Sequence, residues 1–214
     1  MCCKGRQGCV MQSISSDKFV CNRETTCCIT GHRNRDLPFG GNVHKQGMKC
    51  LLSMLQLLIN EAYADGYRTF ISGMAEGIDL ACAGIIHNLI AGGRYPDMHL
   101  VCALPYEEQY REMSLPLDRY SYSMIISGCD ETVVVSCKED KNRYKLRNNF
   151  MVRNSSRIIG AYKYKVCGSG TLQTINMAKR AGLDMQIISL DDNPILYCDT
   201  DTEYELTDFA RFVP

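Results

Sequence analysis

The sequence predicts a single Rossmann-like, three-layer α/β/α domain around a mainly parallel sheet. Three observations carry that prediction. Short apolar runs of β type alternate with helix-type runs from about residue 24 to 190, and glycines punctuate their ends. The strands recur at roughly 25–35 residues, which leaves room for a crossover helix between parallel neighbours. The length of 214 residues suits one domain with small additions, large enough to bury a self-sufficient core.

Each element has its own signal. Residues 25–30 (TTCCIT) are a short apolar run ended by Gly31, a buried strand. Between residues 44 and 63, Met48, Leu51, Leu52, Leu55, Leu58, Ile59 and Ala62 recur at helical spacing, and Gly66 stops the helix. Residues 67–72 (YRTFIS) read as the second strand. Ile78, Ala81, Cys82, Ile85 and Leu89 form the next helical stripe, closed by Gly92 and Gly93. Residues 99–104 (HLVCAL) are the third strand, halted by Pro105. From 107 to 126 the first half reads as helix, with Pro116 interrupting it. Residues 131–136 (ETVVVS) are the fourth strand, 148–155 a short helix and 157–162 (RIIGAY) the fifth strand. A glycine-started helix over 168–181 and a sixth strand over 185–190 (MQIISL) complete the pattern. Residues 1–23 are polar, aperiodic and Cys-rich, and read as a flexible extension; residues 191–214 form an acidic C-terminal segment.

Composition excludes several classes. Hydrophobic residues at 45% and charged residues at 22% rule out wholesale disorder. Lys+Arg and Asp+Glu are both 24, so neither a generic nucleic-acid coat protein nor an anionic-membrane binder is indicated. The 13 cysteines show no C-x-x-C and no framework spacing, which fits reduced thiols. Cys27, Cys28, Cys102 and Cys137 lie in strand-like runs and read as small core residues, while Cys2, Cys3, Cys9 and Cys21 read as part of the extension rather than as zinc ligands. No apolar segment opens the chain as a secretory signal would. No stretch reaches the roughly 18 apolar residues of a membrane span. A soluble cytoplasmic protein without membrane partner, metal or cofactor is expected. A homo-oligomer is compatible with the sequence but not specified by it.

Charge is segregated within this neutral total. Residues 138–165 hold nine basic side chains against Glu139 and Asp140, and residues 191–208 hold seven acidic ones and no basic one. Each run is readable as a solvated face. The basic run also leads into a glycine loop, so an anion-attracting rim is an equal reading.

In open parallel sheets ligands bind beyond the carboxyl ends of the strands, where helix N-termini present unpaired N–H groups. Three such places carry candidate residues. After the first strand come Gly31, a permissive turn residue, His32 with two ring nitrogens, and Arg33 with a fork suited to phosphate. After the second strand, Ser72-Gly73-Met74-Ala75-Glu76-Gly77-Ile78-Asp79 offers close backbone approach, a hydroxyl and two carboxylates. There Asp79 is equally readable as a helix cap or a ribose-hydroxyl acceptor, with Glu76 free for acid/base work. After the fifth strand, Gly168-Ser169-Gly170-Thr171 opens a helix and makes an anion site from successive N–H groups, although it is neither a P-loop nor a full G-x-G-x-x-G.

The runs CCITGHR, FISGMAEGIDLACA, CALPYEEQ and GSGTLQTINMAKRAG, in this order, resemble the YpsA-like branch of the SLOG superfamily. That superfamily also holds the DprA/Smf DNA-processing proteins and the LOG phosphoribohydrolases. The resemblance covers about residues 25–190. It implies that residues 24–190 form a nucleotide-binding domain whose pocket is built by the three loops, with Gly31, His32, Arg33, Ser72, Gly73, Glu76, Gly77, Asp79, Gly168, Ser169, Gly170 and Thr171 facing the ligand. Two departures stand out. The hydrolases carry a Gly-Thr-Leu-Glu-Glu type run, whereas this chain reads Gly170-Thr171-Leu172-Gln173-Thr174 and lacks both carboxylates. Relatives close to YpsA also usually place an acid where this chain has Arg153, which would add positive charge to the pocket rim.

Binding or sensing of a nucleotide or an ADP-ribose-like phosphorylated ligand is therefore the expected function. The alternative is an N-glycosidic hydrolase of nucleotides that uses Glu76 or Asp79 as its carboxylate. A nucleic-acid partner is disfavoured. DprA-like single-strand binding needs aromatic platforms beside basic residues; Tyr144, Tyr162 and Tyr164 lie within the basic run, but tyrosines at a strand end more often pack.

Overall fold

The computed structural model describes residues 13–164, 170–191 and 193–197. Seven strands, all parallel, form one sheet among them: β1 (Ser13–Ser15), β2 (Thr26–Gly31), β3 (Thr69–Ser72), β4 (His99–Leu104), β5 (Glu131–Val134), β6 (Arg157–Tyr162) and β7 (Asp184–Ser189). Their spatial order is β1-β5-β4-β3-β2-β6-β7. Five helices connect them: α1 (Gln46–Ala64), α2 (Ile78–Ala91), α3 (Pro116–Gly128), α4 (Arg143–Arg153) and α5 (Gly170–Arg180).

Because both faces of the sheet are covered, its central strands are near-continuous apolar runs. The two-residue period divides them cleanly. Cys27, Ile29, Phe70, Leu100, Cys102 and Leu104 enter one core with residues of α1, α2 and α3. Cys28, Ile71, Val101, Ala103, Val133 and Ile158 enter the other with Phe150, Met151 and Val152 of α4 and Ala178 of α5. The three layers expected from the sequence are present.

Three local expectations need correction. Pro116 starts a helix rather than interrupting one, because its missing N–H falls where no intrahelical bond is available. The residues before it form only a 3-10 turn, Gln109–Glu112. Helix α4 begins five residues before the expected 148, its polar first turns having masked the period that Phe150, Met151 and Val152 complete. Within the expected extension over residues 1–23, the chain is attached to the domain from Ser13 onward. Ser13–Ser15 pairs in parallel with Thr132–Val134 at the sheet edge, and Phe19 is buried against Phe150 at 5.2 Å between ring centroids. Residues 1–12, with Cys2, Cys3 and Cys9, lie outside the described residues.

Of the acidic C-terminal segment, the turn Pro194–Tyr197 is described; it buries Ile195 and Leu196 in the α1 core. All eight described cysteines are free thiols. Among the described residues no helix is long and apolar enough to cross a membrane, and no group of three or more His, Cys, Asp or Glu could hold a metal ion.

Candidate functional site

From β2 the chain steps to β3, β4 and β5 on one side of the sheet, whereas β6 and β7 lie on the other. Strands β2 and β6 are thus neighbours whose connections diverge, a topological switch point that opens a crevice beyond their carboxyl ends. A cleft of ≈ 330 Å³ lies there, lined by Thr30, Gly31, His32, Arg33, Arg35, Asp36, Ala75, Asp79, Tyr144, Arg147, Asn148, Gly170, Thr171 and Thr174. Its size falls at the lower end of the small-molecule range.

The floor is a buried ion pair. Asp79, in the first turn of α2, and Arg147 of α4 meet at 3.3 Å with both side chains under a tenth exposed. Burial raises the Asp79 carboxyl to about 6, against the pull of Arg147 and Arg33. Burial also lowers the Arg147 pKa, opposed by Asp79, although a guanidinium stays protonated at any physiological pH. The Nε of Arg147 finds no partner among the described residues. A buried donor left unpaired in this way costs about 1–3 kcal/mol, which a ligand acceptor would relieve.

Gly73 is what lets Arg147 lie there. A Cβ on Gly73 would come within 1.4 Å of Arg147 Nη1 and 2.7 Å of Asp79 Oδ2. The loop is tightened further by Ser72, whose hydroxyl donates to the Asp79 carbonyl at 2.8 Å and accepts from the Met74 N–H at 3.1 Å. Met74 itself has φ +55°, a left-handed conformation that costs a non-glycine residue roughly 1 kcal/mol or more. Gly77 has φ +94°, and its neighbour Ile78 donates its N–H to the His32 carbonyl, locking the two loops together.

His32 forms a wall. Its ring is 1% exposed, stacks on Tyr162 at 4.9 Å, and lies 3.8 Å from Asp36. Burial lowers its pKa, with Asp36 opposing, so the ring is neutral near pH 7. Arg33 is half-buried, and no ion pair occupies its guanidinium among the described residues.

The expected site residues separate into groups. Gly31, His32, Arg33, Asp79, Gly170 and Thr171 line the cleft. Thr171 also donates its hydroxyl to the Gly31 carbonyl at 2.8 Å, so it joins α5 to β2. Ser72, Gly73 and Gly77 lie behind the surface and shape it. Glu76 borders a smaller crevice beside the cleft and accepts from the Ser114 N–H and hydroxyl at 3.2 and 3.1 Å. Gly168 and Ser169 lie outside the described residues, and a Cβ on Gly170 would meet open space.

Arg153 is not at the cleft. It is exposed and faces a separate depression with Ser16, Asp17 and Asn149, next to the β1 edge. Six residues beyond Arg147 an α-helix has turned to a face about 120° away, and the two arginines line different depressions. Two other arginines of the basic run are engaged in ion pairs. Arg157 pairs with Asp65 and Asp184 at 2.7 and 2.6 Å, and Arg143 with Glu112 at 3.7 Å. The sequence reading missed Arg147, Asn148 and Tyr144. The signal for Arg147 was a charge three and four residues before Phe150 and Met151, hence on the buried stripe of α4.

At the hydrolase-like run, Thr174 faces the cleft and donates to the Gly170 carbonyl at 3.1 Å, while Gln173 is exposed on the outer side of α5. Asp79 and Asp36 are the carboxylates that line the cleft.

Fold and site together define a Rossmann-like α/β protein with a polar cleft at its switch point. Within that class the chain belongs to the YpsA family, described as the YspA SLOG family, whose profile matches residues 27–193. It is similar to UPF0398 proteins of Bacillus thuringiensis (strain Al Hakam) and Bacillus cereus (strain AH187), each 25% identical over 156 residues, covering 72% of this chain and 82% of theirs. Its fold is similar to that of DNA processing protein A from Streptococcus pneumoniae, with a TM-score of 0.51, 17% identity, and coverage of 81% of this chain and 53% of that one. The same protein from Helicobacter pylori, described for its single-stranded DNA binding mode, matches with a TM-score of 0.51 and 14% identity over 80% of this chain and 68% of that one.

Proposed function

We propose that the cleft binds a phosphorylated, nucleotide-derived ligand of the nucleotide or ADP-ribose kind, and that the protein acts as a binding or sensing module in a reducing compartment such as the cytoplasm. The observation that carries this reading is the Arg147 guanidinium. It is 6% exposed, held by one carboxylate oxygen at 3.3 Å, and has a buried Nε without a partner among the described residues. Arg33 adds a second cation, and the N-terminal turn of α5 adds partial positive charge at the same wall. Such a set supports an anionic group, while Asp79 supports hydroxyl recognition. Glu76, Gly168, Ser169 and Gly170 belong to the proposal as flanking or phosphate-side groups. Arg153 does not.

One observation favours a second reading. Asp79 faces the cleft with a carboxyl raised to about 6, which suits a general base near neutrality. N-glycosidic hydrolysis through Asp79 is therefore the alternative, and the hydroxyl of Thr174 in place of a carboxylate weighs against it. A strand of nucleic acid fits less well than a small ligand, given a cleft of ≈ 330 Å³ and the absence of net positive charge.

The test is native mass spectrometry of the full chain purified without added ligand. It is joined by overnight incubation with AMP, NAD, ADP-ribose and a single-stranded oligonucleotide, followed by chromatography. Retained nucleotide mass with no released base or ribose phosphate is expected. Multiple turnovers abolished in Asp79→Asn would establish the hydrolase instead.

A further inference from the structure

Beside the main cleft, and sharing Arg33, Ala75 and Tyr144 with it, is a second crevice walled by Glu76, Gln109, Glu112 and Met113. Its free volume is only ≈ 10 Å³. That is about one water-sized probe, so it admits a single small polar group and not a ring.

Its walls carry two glutamates and a glutamine beside the shared Arg33, and so are richer in acceptors than in donors. Gln109 is 4% exposed, and its Nε2 donates to the Gly73 carbonyl at 3.2 Å. Because a carbonyl can only accept, that bond fixes the amide orientation. The oxygen Oε1 is then the atom left over, buried and without a partner among the described residues. Glu76 is oriented by the two bonds from Ser114. Glu112 accepts from the Tyr144 hydroxyl and lies 3.7 Å from Arg143. Burial works to raise the Glu112 carboxyl, but the Tyr106 and Tyr144 hydroxyls and Arg143 outweigh it and hold it below the usual range. Three acceptor-bearing side chains, Gln109, Glu76 and Glu112, thus wall a space the size of one amino group, together with Arg33. Arg33 lines both this crevice and the larger cleft.

We infer that the crevice is a recognition pocket for the exocyclic amino group of the ligand's nucleobase, so that the protein selects amino-bearing nucleotides over their oxo counterparts. This rests on the nucleotide reading of the main cleft and extends it from the phosphate end to the base end. An amino group donates two hydrogen bonds, which Gln109 Oε1 and a carboxylate can both accept. A carbonyl at the same position presents lone pairs to lone pairs and leaves Gln109 Oε1 unsatisfied. Discrimination from such a site is at least tenfold, and sites built around one buried polar group reach much higher ratios.

Isothermal titration of the full chain with the pairs AMP and IMP, GMP and XMP, and CMP and UMP tests this. In at least one pair the amino-bearing member should bind at least tenfold more tightly. In Glu112→Gln, which turns one acceptor into a donor, that preference should shrink toward unity while the melting temperature holds. Gln109→Met should also erode it, with binding of the oxo partner retained as the check that the site still folds. Equal affinity within every pair overturns the amino-group pocket alone. Absence of binding by all six nucleotides overturns the nucleotide reading beneath it.

Discussion

The Arg147–Asp79 pair depends on a single missing methyl. With a Cβ on Gly73, Arg147 Nη1 would have to move, since 1.4 Å is far inside any contact distance. Arg147 is the far end of a flexible side chain, so the fold survives the change, but the guanidinium leaves the floor of the cleft. Gly73→Ala should therefore weaken AMP binding at least tenfold, about 1.4 kcal/mol, with only a few degrees lost in thermal melting. Retained affinity would show that Arg147 does not hold the ligand. Asp79 supplies a second residue-level test. Its folded-state pKa of about 6 lies above the ordinary 3.8, so the folded protein holds this proton more tightly than the unfolded chain. The stability it contributes is complete below pH 3.8 and is lost as pH rises through about 6. The unfolding free energy of the wild type minus that of Asp79→Asn should accordingly fall by up to roughly 3 kcal/mol between pH ~4 and ~6. A flat difference in denaturant titrations would mean that burial does not raise the Asp79 carboxyl.

At the scale of elements, β1 and the turn after it stabilise an edge that would otherwise expose the ladder of β5. Phe19 is 9% exposed and rests on Phe150 of α4. Truncating it in Phe19→Ala should cost roughly 3 kcal/mol, lowering the melting temperature by about 6–12 °C in a chain of this size. An unchanged melting curve would return this segment to the status of an unattached extension. The central strands were legible because both faces are buried: HLVCAL and RIIGAY fall on β4 and β6 residue for residue. Strand β1 was not, because three residues of serine and isoleucine at a sheet edge bury too little to impose a period. Helix α3 was misread for a different reason. Proline carries opposite meanings at the first turn and in the interior of a helix, and sequence spacing alone did not say which position Pro116 held.

Across the whole molecule, the candidate site lies where the direction of winding reverses. The switch point brings the β2 loop, the β3 loop, α4 and α5 to one cleft from positions far apart in the chain. Loops that follow strands were legible as site elements, since glycines mark them: Gly31, Gly73 and Gly77 all prove to hold backbone where a side chain would collide. Residues contributed from inside a helix were not. Arg147 and Asn148 look like any solvated polar turn until α4 is docked, whereas Arg153, which had a reason in the sequence to matter, rotates away. The acceptor-rich crevice of Glu76, Gln109 and Glu112 was equally hidden, because its residues come from two loops that only the sheet places together. Calorimetric titration of ADP-ribose into the full chain and into Arg147→Met tests the central claim most directly. Its pyrophosphate charge is constant near neutral pH. Saturable one-site binding to the wild type, weakened at least tenfold in a folded Arg147→Met, is the predicted result; absence of binding to the wild type, or equal affinity in the variant, would contradict it.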